Sequence, residues 1–420
     1  MIASRLLALF GLFVMIGLAW LLSSHKRSVS LRILVGGLLL QFALAIVLLL
    51  TPPGQWLFDG INFAFAKLDE FKNVGAEFVF GIEPWNDAEK AKLPPGYTLM
   101  RAFAFNVLPT IIVFASLMSI LYFLGVMQWI VKVLAKLMQF TLGTSGAESL
   151  SAAANIFVGH TEAPLVVRPY ISGMTTSELN AMMVGGFATI SGGLLALYHG
   201  MGIDAGHLVT ASVISAPAAL LIAKVMQPEV DTPDTLGTVK VEIPRRGANI
   251  LEAASIGATD GMTLAFNVAA MLIAFLALIA MINAIIGGVG SWFGQTWSLE
   301  LFLRYAFAPF AWLMGIESRD CLAAGELLGL KMVANELIAY KQLGEWTADN
   351  SAIEISKRSQ HILTYALSGF SNFAAIGIQI GGIGGLAPDR RSDLARLGLR
   401  AMIGGALACC MTACIAGILI

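Results

Sequence analysis

Eight stretches of this 420-residue chain run without a single Asp, Glu, Lys or Arg for about the length of a lipid bilayer. They are Leu6–Leu22, Ile33–Leu50, Ala102–Val131, Leu179–Ile203, Leu208–Ala223, Met262–Leu299, Ile362–Pro388 and Ala401–Ile420. Each is near or beyond the roughly 17–25 residues that a membrane-spanning helix needs. A charge at mid-bilayer costs about 2.5–3.5 kcal/mol on insertion scales, so uncharged runs of this length are not accidental. Charged residues make up 13% of the chain, about half the share of a soluble domain. The fold class that follows is an all-α polytopic membrane protein with no soluble core. The net charge of -1, without a basic stripe interleaved with aromatics, gives no reason to expect a nucleic-acid partner. The first run could serve as a secretory signal peptide, since Arg5 precedes it, but no small-x-small cleavage site follows Leu22.

Basic residues orient the eight spans. Lys26, Arg27 and Arg32 lie between the first two runs, Lys240, Arg245 and Arg246 between the fifth and sixth, and Arg390, Arg391, Arg396 and Arg400 between the seventh and eighth. Eight alternating spans put all three loops on one side, which the positive-inside rule makes cytoplasmic, with both termini outside. Gln55–Phe71 is amphipathic and is expected along the membrane interface. Lys72–Tyr97, rich in charge, Pro and Gly, is expected to be an exposed loop.

Two further segments are apolar yet interrupted. Glu148–Arg168 holds Gly159, His160, Glu162 and Pro164, and Glu317–Tyr340 carries Glu326, Lys331, Asn335 and Glu336. Irregular backbone and ionised groups at membrane depth are tolerated only against protein or water, as in re-entrant hairpins. The two segments also resemble each other. Gly146-Ala147-Glu148-Ser149 matches Gly315-Ile316-Glu317-Ser318, Thr161-Glu162 matches Asn335-Glu336, and each is followed by a span expected to open on Gly-Phe, at Gly186-Phe187 and Gly369-Phe370. Repeated interrupted helices in corresponding positions point to a secondary transporter with its site between the halves. The expected organisation is scaffold helices, interfacial helix and loop in 1–100, and a first repeat in 101–226 with its hairpin at 144–170. A cytoplasmic loop at 227–250 follows, then a second repeat in 251–390 with its hairpin at 317–345, and a last helix in 391–420.

Glu162 and Glu336 are the leading candidates for chemistry, one per repeat, because a carboxylate buried in apolar sequence needs a partner. A carboxylate can accept two hydroxyl hydrogen bonds at once, and a helix-end or ion-pair role is the plainer alternative. Asn155 with Thr189-Ile190-Ser191-Gly192-Gly193 could replace the water shell of a hard monovalent cation, or could be close helix packing through small residues. His160 at a hairpin tip could contact substrate, move a proton or face water. Asp260 is expected at the start of the sixth span, where an anion at a helix N-terminus is the competing explanation. Cys321, Cys409, Cys410 and Cys414 have no metal or thioredoxin spacing and are expected as small apolar residues in helices. No nucleophile elbow, HExxH or Walker motif appears, so neither an enzyme nor an ATP-driven pump is indicated.

Asn155-Ile156-Phe157-Val158-Gly159-His160-Thr161-Glu162-Ala163-Pro164 resembles the first-hairpin signature of concentrative nucleoside transporters. Asn335-Glu336-Leu337-Ile338-Ala339-Tyr340 resembles their second-hairpin signature, and Gly369-Phe370-Ser371-Asn372-Phe373 their seventh-span motif. Gly257-Ala258-Thr259-Asp260-Gly261 through Asn267-Val268-Ala269-Ala270 is similar to their sixth span. The resemblance implies a bacterial member in the cytoplasmic membrane, a homotrimer in the lipid bilayer, and nucleoside import driven by Na+ or H+. It implies no cofactor. His160, Thr161 and Glu162 would bind the base, Glu336 and Asn372 the ribose with Phe370 lining the site, and Asn155, Val158, Thr189 and Ile190 would hold sodium. Two departures stand out: His160 where many members have Gln, and Ala375 where many have Ser. The missing hydroxyl removes one hydrogen bond, worth about 0.5–1.5 kcal/mol, so a nucleoside with a modified base or sugar is a further expectation. A carrier of another small polar solute, a channel and a membrane enzyme are the competing classes.

Overall fold

The structure is a computed structural model that describes residues 2–80, 108–236, 247–347, 353 and 355–420. Its described residues form helices and connections, with no strand among them. Helix α1 is Ile2–Leu21, α2 Leu31–Leu50 and α3 Pro52–Phe80. Next come α4 (Leu108–Phe123), α5 (Val126–Leu142), α6 (Gly146–Ala154), α7 (Ala163–Val166), α8 (Thr176–Ala188), α9 (Gly192–Gly200) and α10 (Ala205–Met226). The second half holds α11 (Ile250–Trp292), α12 (Leu299–Leu313), α13 (Cys321–Val333), α14 (Glu336–Thr347), α15 (Lys357–Leu367), α16 (Phe373–Leu386) and α17 (Arg391–Leu419).

By length and composition, six helical stretches among the described residues can cross a membrane: α1, α2, α8 with α9, α10, α11, and α17 with the turn before it. The bent pair α4 and α5 adds a seventh. Several expected boundaries move. The third run does not continue as one helix: α4 turns by 76° into α5 at Gly125, which takes a φ of +84°. The run Ile362–Pro388 divides at Ser368–Asn372 into helices of 11 and 14 residues. The helix of the sixth expected span, α11, starts at Ile250, well before Met262, so Asp260 lies within the helix and exposed; Asn249 and Glu252 cap the N-terminus instead. Lys72 and the residues after it to Phe80 continue α3 rather than opening a loop. The rest of that expected loop, the start of the third run at Ala102, and Lys240, Arg245 and Arg246 lie outside the described residues.

The last helix begins at Arg391, which places Arg396 and Arg400 on a helix rather than in a loop. Arg400 donates to Leu22 O at 2.8 Å and Met226 O at 3.0 Å, and Arg32 donates to Phe140 O at 2.6 Å. The ends of α1, α5 and α10 and the starts of α2 and α17 are joined by these guanidinium bonds to carbonyls left free at helix C-termini.

Two parts of the chain run through the same succession of elements. Helix α5, the pair α6 and α7, the broken helix α8–α9 and the long α10 correspond to α12, α13 and α14, α15–α16 and α17. The sequence register expected for this repeat holds at one place only. Thr161-Glu162 immediately precedes α7 and Asn335-Glu336 straddles the start of α14. Glu148 sits buried in the first turn of α6, whereas Glu317 precedes α13 and pairs with Arg319 in solvent. The Gly-Phe pairs do not open spans: Gly186-Phe187 ends α8, and Gly369-Phe370 lies inside the break between α15 and α16.

Those two breaks meet. At Gly369 φ is +151°, and a Cβ there would stand 2.6 Å from Phe187 O and 2.7 Å from Cys409 Sγ, so only glycine lets the chains cross. Ser371 donates to Phe187 O at 2.8 Å, and Cys409 on α17 donates to Ser368 O at 2.9 Å. Helix α17 packs against α8, α15 and α16, and α10 against α2 and α8, while α11 packs along α4.

Candidate functional site

Several buried polar groups gather around that crossing. Glu336, the first residue of α14, is 4% exposed. Its Oε1 accepts from Tyr198 OH at 3.1 Å and its Oε2 from Asn372 Nδ2 at 3.1 Å. Asn372 caps α16, its Oδ1 accepting from Ala375 N at 2.9 Å, so the second break fixes the amide that faces Glu336. Tyr198 is held in turn by Tyr340, with ring centroids 4.4 Å apart. The carboxylate keeps acceptor capacity for a further donor. Glu336 and Asn372 therefore form one buried polar cluster with acceptor capacity to spare.

A second set of groups beside it comes from the break after α6. The His160 ring meets Phe370 edge-on, with centroids 4.6 Å apart, and neither of its buried ring nitrogens has a partner. Thr161 and Glu162 lie at the exposed rim, Thr161 against Gly382 and Glu162 within electrostatic reach of Tyr122 on α4. The structure thus brings His160, Phe370, Glu336 and Asn372 together and leaves Thr161 and Glu162 at the edge. Asp260 takes no part. Tyr198 and Gln379 were not singled out from sequence. Gln379 had a signal, as the one polar side chain in the apolar Phe373–Leu386 helix, whereas Tyr198 is one tyrosine within an apolar run and had none.

A second cluster lies beside the first. Asn155, directly after α6, is fully buried, and both its Oδ1 and Nδ2 lack partners. Its Nδ2 lies 3.1 Å from where a Cβ on Gly185 would stand, and Thr189 Oγ1 donates to Gly185 O at 2.9 Å. Gly192 N donates to Phe157 O at 2.9 Å, pinning the break of Asn155–Glu162 to the break of Thr189–Ser191. Val158, half-buried, and Ile190, buried, flank this junction. A buried amide oxygen with no donor is costly, and a hard monovalent cation would satisfy it. Among the described residues no group of three His, Cys, Asp or Glu side chains could hold a metal ion, and all four cysteines are buried and free.

The chain matches three family models: the Na+ dependent nucleoside transporter C-terminus over residues 207–417, its N-terminus over 10–83, and nucleoside recognition (gate) over 104–205. It is 45% identical over 99% of its length, and 98% of the relative's, to an uncharacterized transporter of Haemophilus influenzae. It is 42% identical to sodium/nucleoside cotransporter 1 of Rattus norvegicus, spanning 99% of this chain but 64% of that longer protein. Solute carrier family 28 member 3 of Eptatretus stoutii is also 42% identical, with 61% of its length spanned. Among solved structures, CNTnw in an inward-facing substrate-bound state superposes with a TM-score of 0.89 at 40% identity, over 99% of this chain and 97% of that one. A doubly substituted CNTnw in an outward-facing state gives 0.92, also at 40% identity, over 100% and 98%. With relatives 42–45% identical along 99% of its length, the chain belongs to the family of Na+-dependent nucleoside transporters.

Proposed function

We propose that this chain imports nucleosides into a bacterial cell by sodium symport, with the ribose on Glu336 and Asn372 and the base beside His160 and Phe370. The observation that carries this is Glu336. It is a buried carboxylate, oriented by Tyr198 and Asn372, with lone pairs to spare at the point where two broken helices cross. Thr161 and Glu162 complete the base side from the rim. Asn155 supplies the ion site with Val158, Thr189 and Ile190. Ion and base sites share one stretch of non-helical chain, Asn155 to His160, so filling the first orders the second. That is the physical content of coupling: each ligand relieves the ordering cost that the other would otherwise meet.

The finer architecture follows the same reading. Eight spans result when α4 and the broken α15–α16 are counted as crossings, and α6/α7 and α13/α14 are then the re-entrant hairpins of an inverted repeat. Helix α3, with Trp56, Phe63 and Phe71 exposed, lies at the interface. The arginine-joined ends of α1, α10 and α17 face the cytoplasm, which sets both termini outside. The long, exposed α11 carries the contacts of a homotrimer within the bilayer of the inner membrane.

Tritiated uridine, in a panel with purine and modified nucleosides, is the substrate set for proteoliposomes under an inward sodium gradient or an inward proton gradient. Sodium-driven accumulation of a nucleoside is the expected outcome. Accumulation driven only by protons in sodium-free buffer would overturn the choice of ion, and no uptake of any nucleoside would overturn the substrate. Asn155→Ala is expected to raise the sodium concentration for half-maximal uptake about tenfold or more, the loss of one ion ligand worth roughly 1.4 kcal/mol. At saturating sodium the nucleoside KM should stay near the native value.

A further inference from the structure

Gln379 lies in the middle of α16, the only polar side chain of Phe373–Leu386, and is 1% exposed. Its Nε2 donates to Met183 O on α8 at 3.2 Å, which fixes which way the amide faces. Its Oε1 is buried and accepts nothing. A buried carbonyl with both lone pairs idle is rare in a folded chain and calls for a partner.

Its surroundings say which partner. A Cβ on Gly186 would stand 2.7 Å from His160 Cβ and 2.8 Å from Gln379 Nε2, so the two side chains flank the same bare stretch of α8. One turn further along α16, Gly382 lies against Thr161. The face of α16 that carries Gln379 is therefore the face laid over the first break, where His160 also has two ring nitrogens without partners. A neutral imidazole offers one donor and one acceptor, and the Gln379 carbonyl adds a second acceptor. The corner is short of donors, so its complement is a ligand edge that brings one.

We propose that Gln379 is a specificity-determining residue that contacts substrate, its Oε1 accepting an N–H from the polar edge of the base while His160 engages the neighbouring atoms. The ligand chemistry is a ring imide or lactam N–H, or an exocyclic amino group, beside a hydrogen-bond acceptor. This rests on the nucleoside reading given above. The Oε1 has no role in holding α16 to α8, since the Nε2 bond to Met183 does that.

The test is equilibrium binding to the purified full chain in saturating sodium, by competition between each parent nucleoside and the analogue whose donor is methylated. Uridine is paired with 3-methyluridine, and adenosine with N6,N6-dimethyladenosine. Native protein should favour the parent by about tenfold or more, as loss of a buried acceptor's partner implies. Gln379→Leu and Gln379→Ala should bring that ratio close to one, the second without a bulky side chain to confuse the comparison. An unchanged ratio in Leu and Ala variants, or equal weakening of parent and analogue, would show a structural residue and overturn the proposal while leaving the nucleoside site intact. Native protein that binds none of the four would overturn this inference, while the nucleoside reading would fall only with the wider panel.

Discussion

Glu336→Gln should abolish gradient-driven nucleoside accumulation while leaving the protein folded. The amide fills the same volume, but one of its two ends is now a donor facing Tyr198 OH or Asn372 Nδ2, both of which donate to the native carboxylate. Hydrogen bonds to a charged acceptor contribute about 1.5–3 kcal/mol each. Losing the charge and one of the two acceptors for substrate hydroxyls predicts a fall in nucleoside affinity of about one to two orders of magnitude, at about 1.4 kcal/mol per tenfold. Binding of tritiated nucleoside to protein in detergent, beside a size-exclusion profile matching the native one, separates a lost site from a lost fold. A Glu336→Gln protein that accumulates nucleoside at the native rate would remove the carboxylate from the site.

Lys224→Met should have the largest effect on stability, far from the substrate. Lys224 Nζ lies 2.7 Å from Glu148 Oε2 and 3.0 Å from Glu229 Oε2, and donates to Ser177 Oγ at 2.9 Å. Lys224 and Glu148 are 2% and 1% exposed, so neither charge has water to fall back on. Removing one partner of a buried pair costs about 3–5 kcal/mol, because the other is left uncompensated. Set against a total stability of roughly 5–15 kcal/mol, that should lower the midpoint of thermal unfolding in detergent by several degrees. Adding Glu148→Gln to Lys224→Met should recover much of the loss, since the cost lies in the stranded charge rather than in the absent bond. A single variant as stable as the native protein would mean that water reaches the pair.

How much of this was legible beforehand varied with the physical signal. Charge-free runs have no soluble explanation, so the membrane class was open to reading, and Glu162, Glu336, Asn155 and His160 declared themselves by standing where apolar sequence was expected. Their neighbours did so less reliably. A run such as Ile362–Pro388 reads as one span by hydropathy, because its break rests on Gly369 meeting Phe187, a residue 182 positions earlier. Hydropathy registers burial and cannot register which backbone crosses which. Asp260 was misplaced for a related reason: the residues before Met262 are mildly polar but helix-compatible, so the run's edge was mistaken for the helix's edge. The repeat misled in register at its most Gly-rich matches, where similarity of composition stands in for similarity of position. At Glu162 and Glu336, where the match has chemical content, it held.

The crossing at Gly369 has an electrical consequence. Helices α8 and α15 both end there, and α9 and α16 both begin there. Each helix end carries the equivalent of about half an elementary charge, negative at a C-terminus and positive at an N-terminus. Two negative and two positive ends thus meet at the crossing, with the Asn155 amide on one side and the Glu336 carboxylate, held by Asn372, on the other. A cation drawn to such fractional charges is attracted strongly enough to enter and too weakly to be trapped. A carrier has to give up its ion on every cycle, and with the ion placed at Asn155 as proposed above, fractional helix-end charges would hold it without a full opposite charge having to be neutralised first.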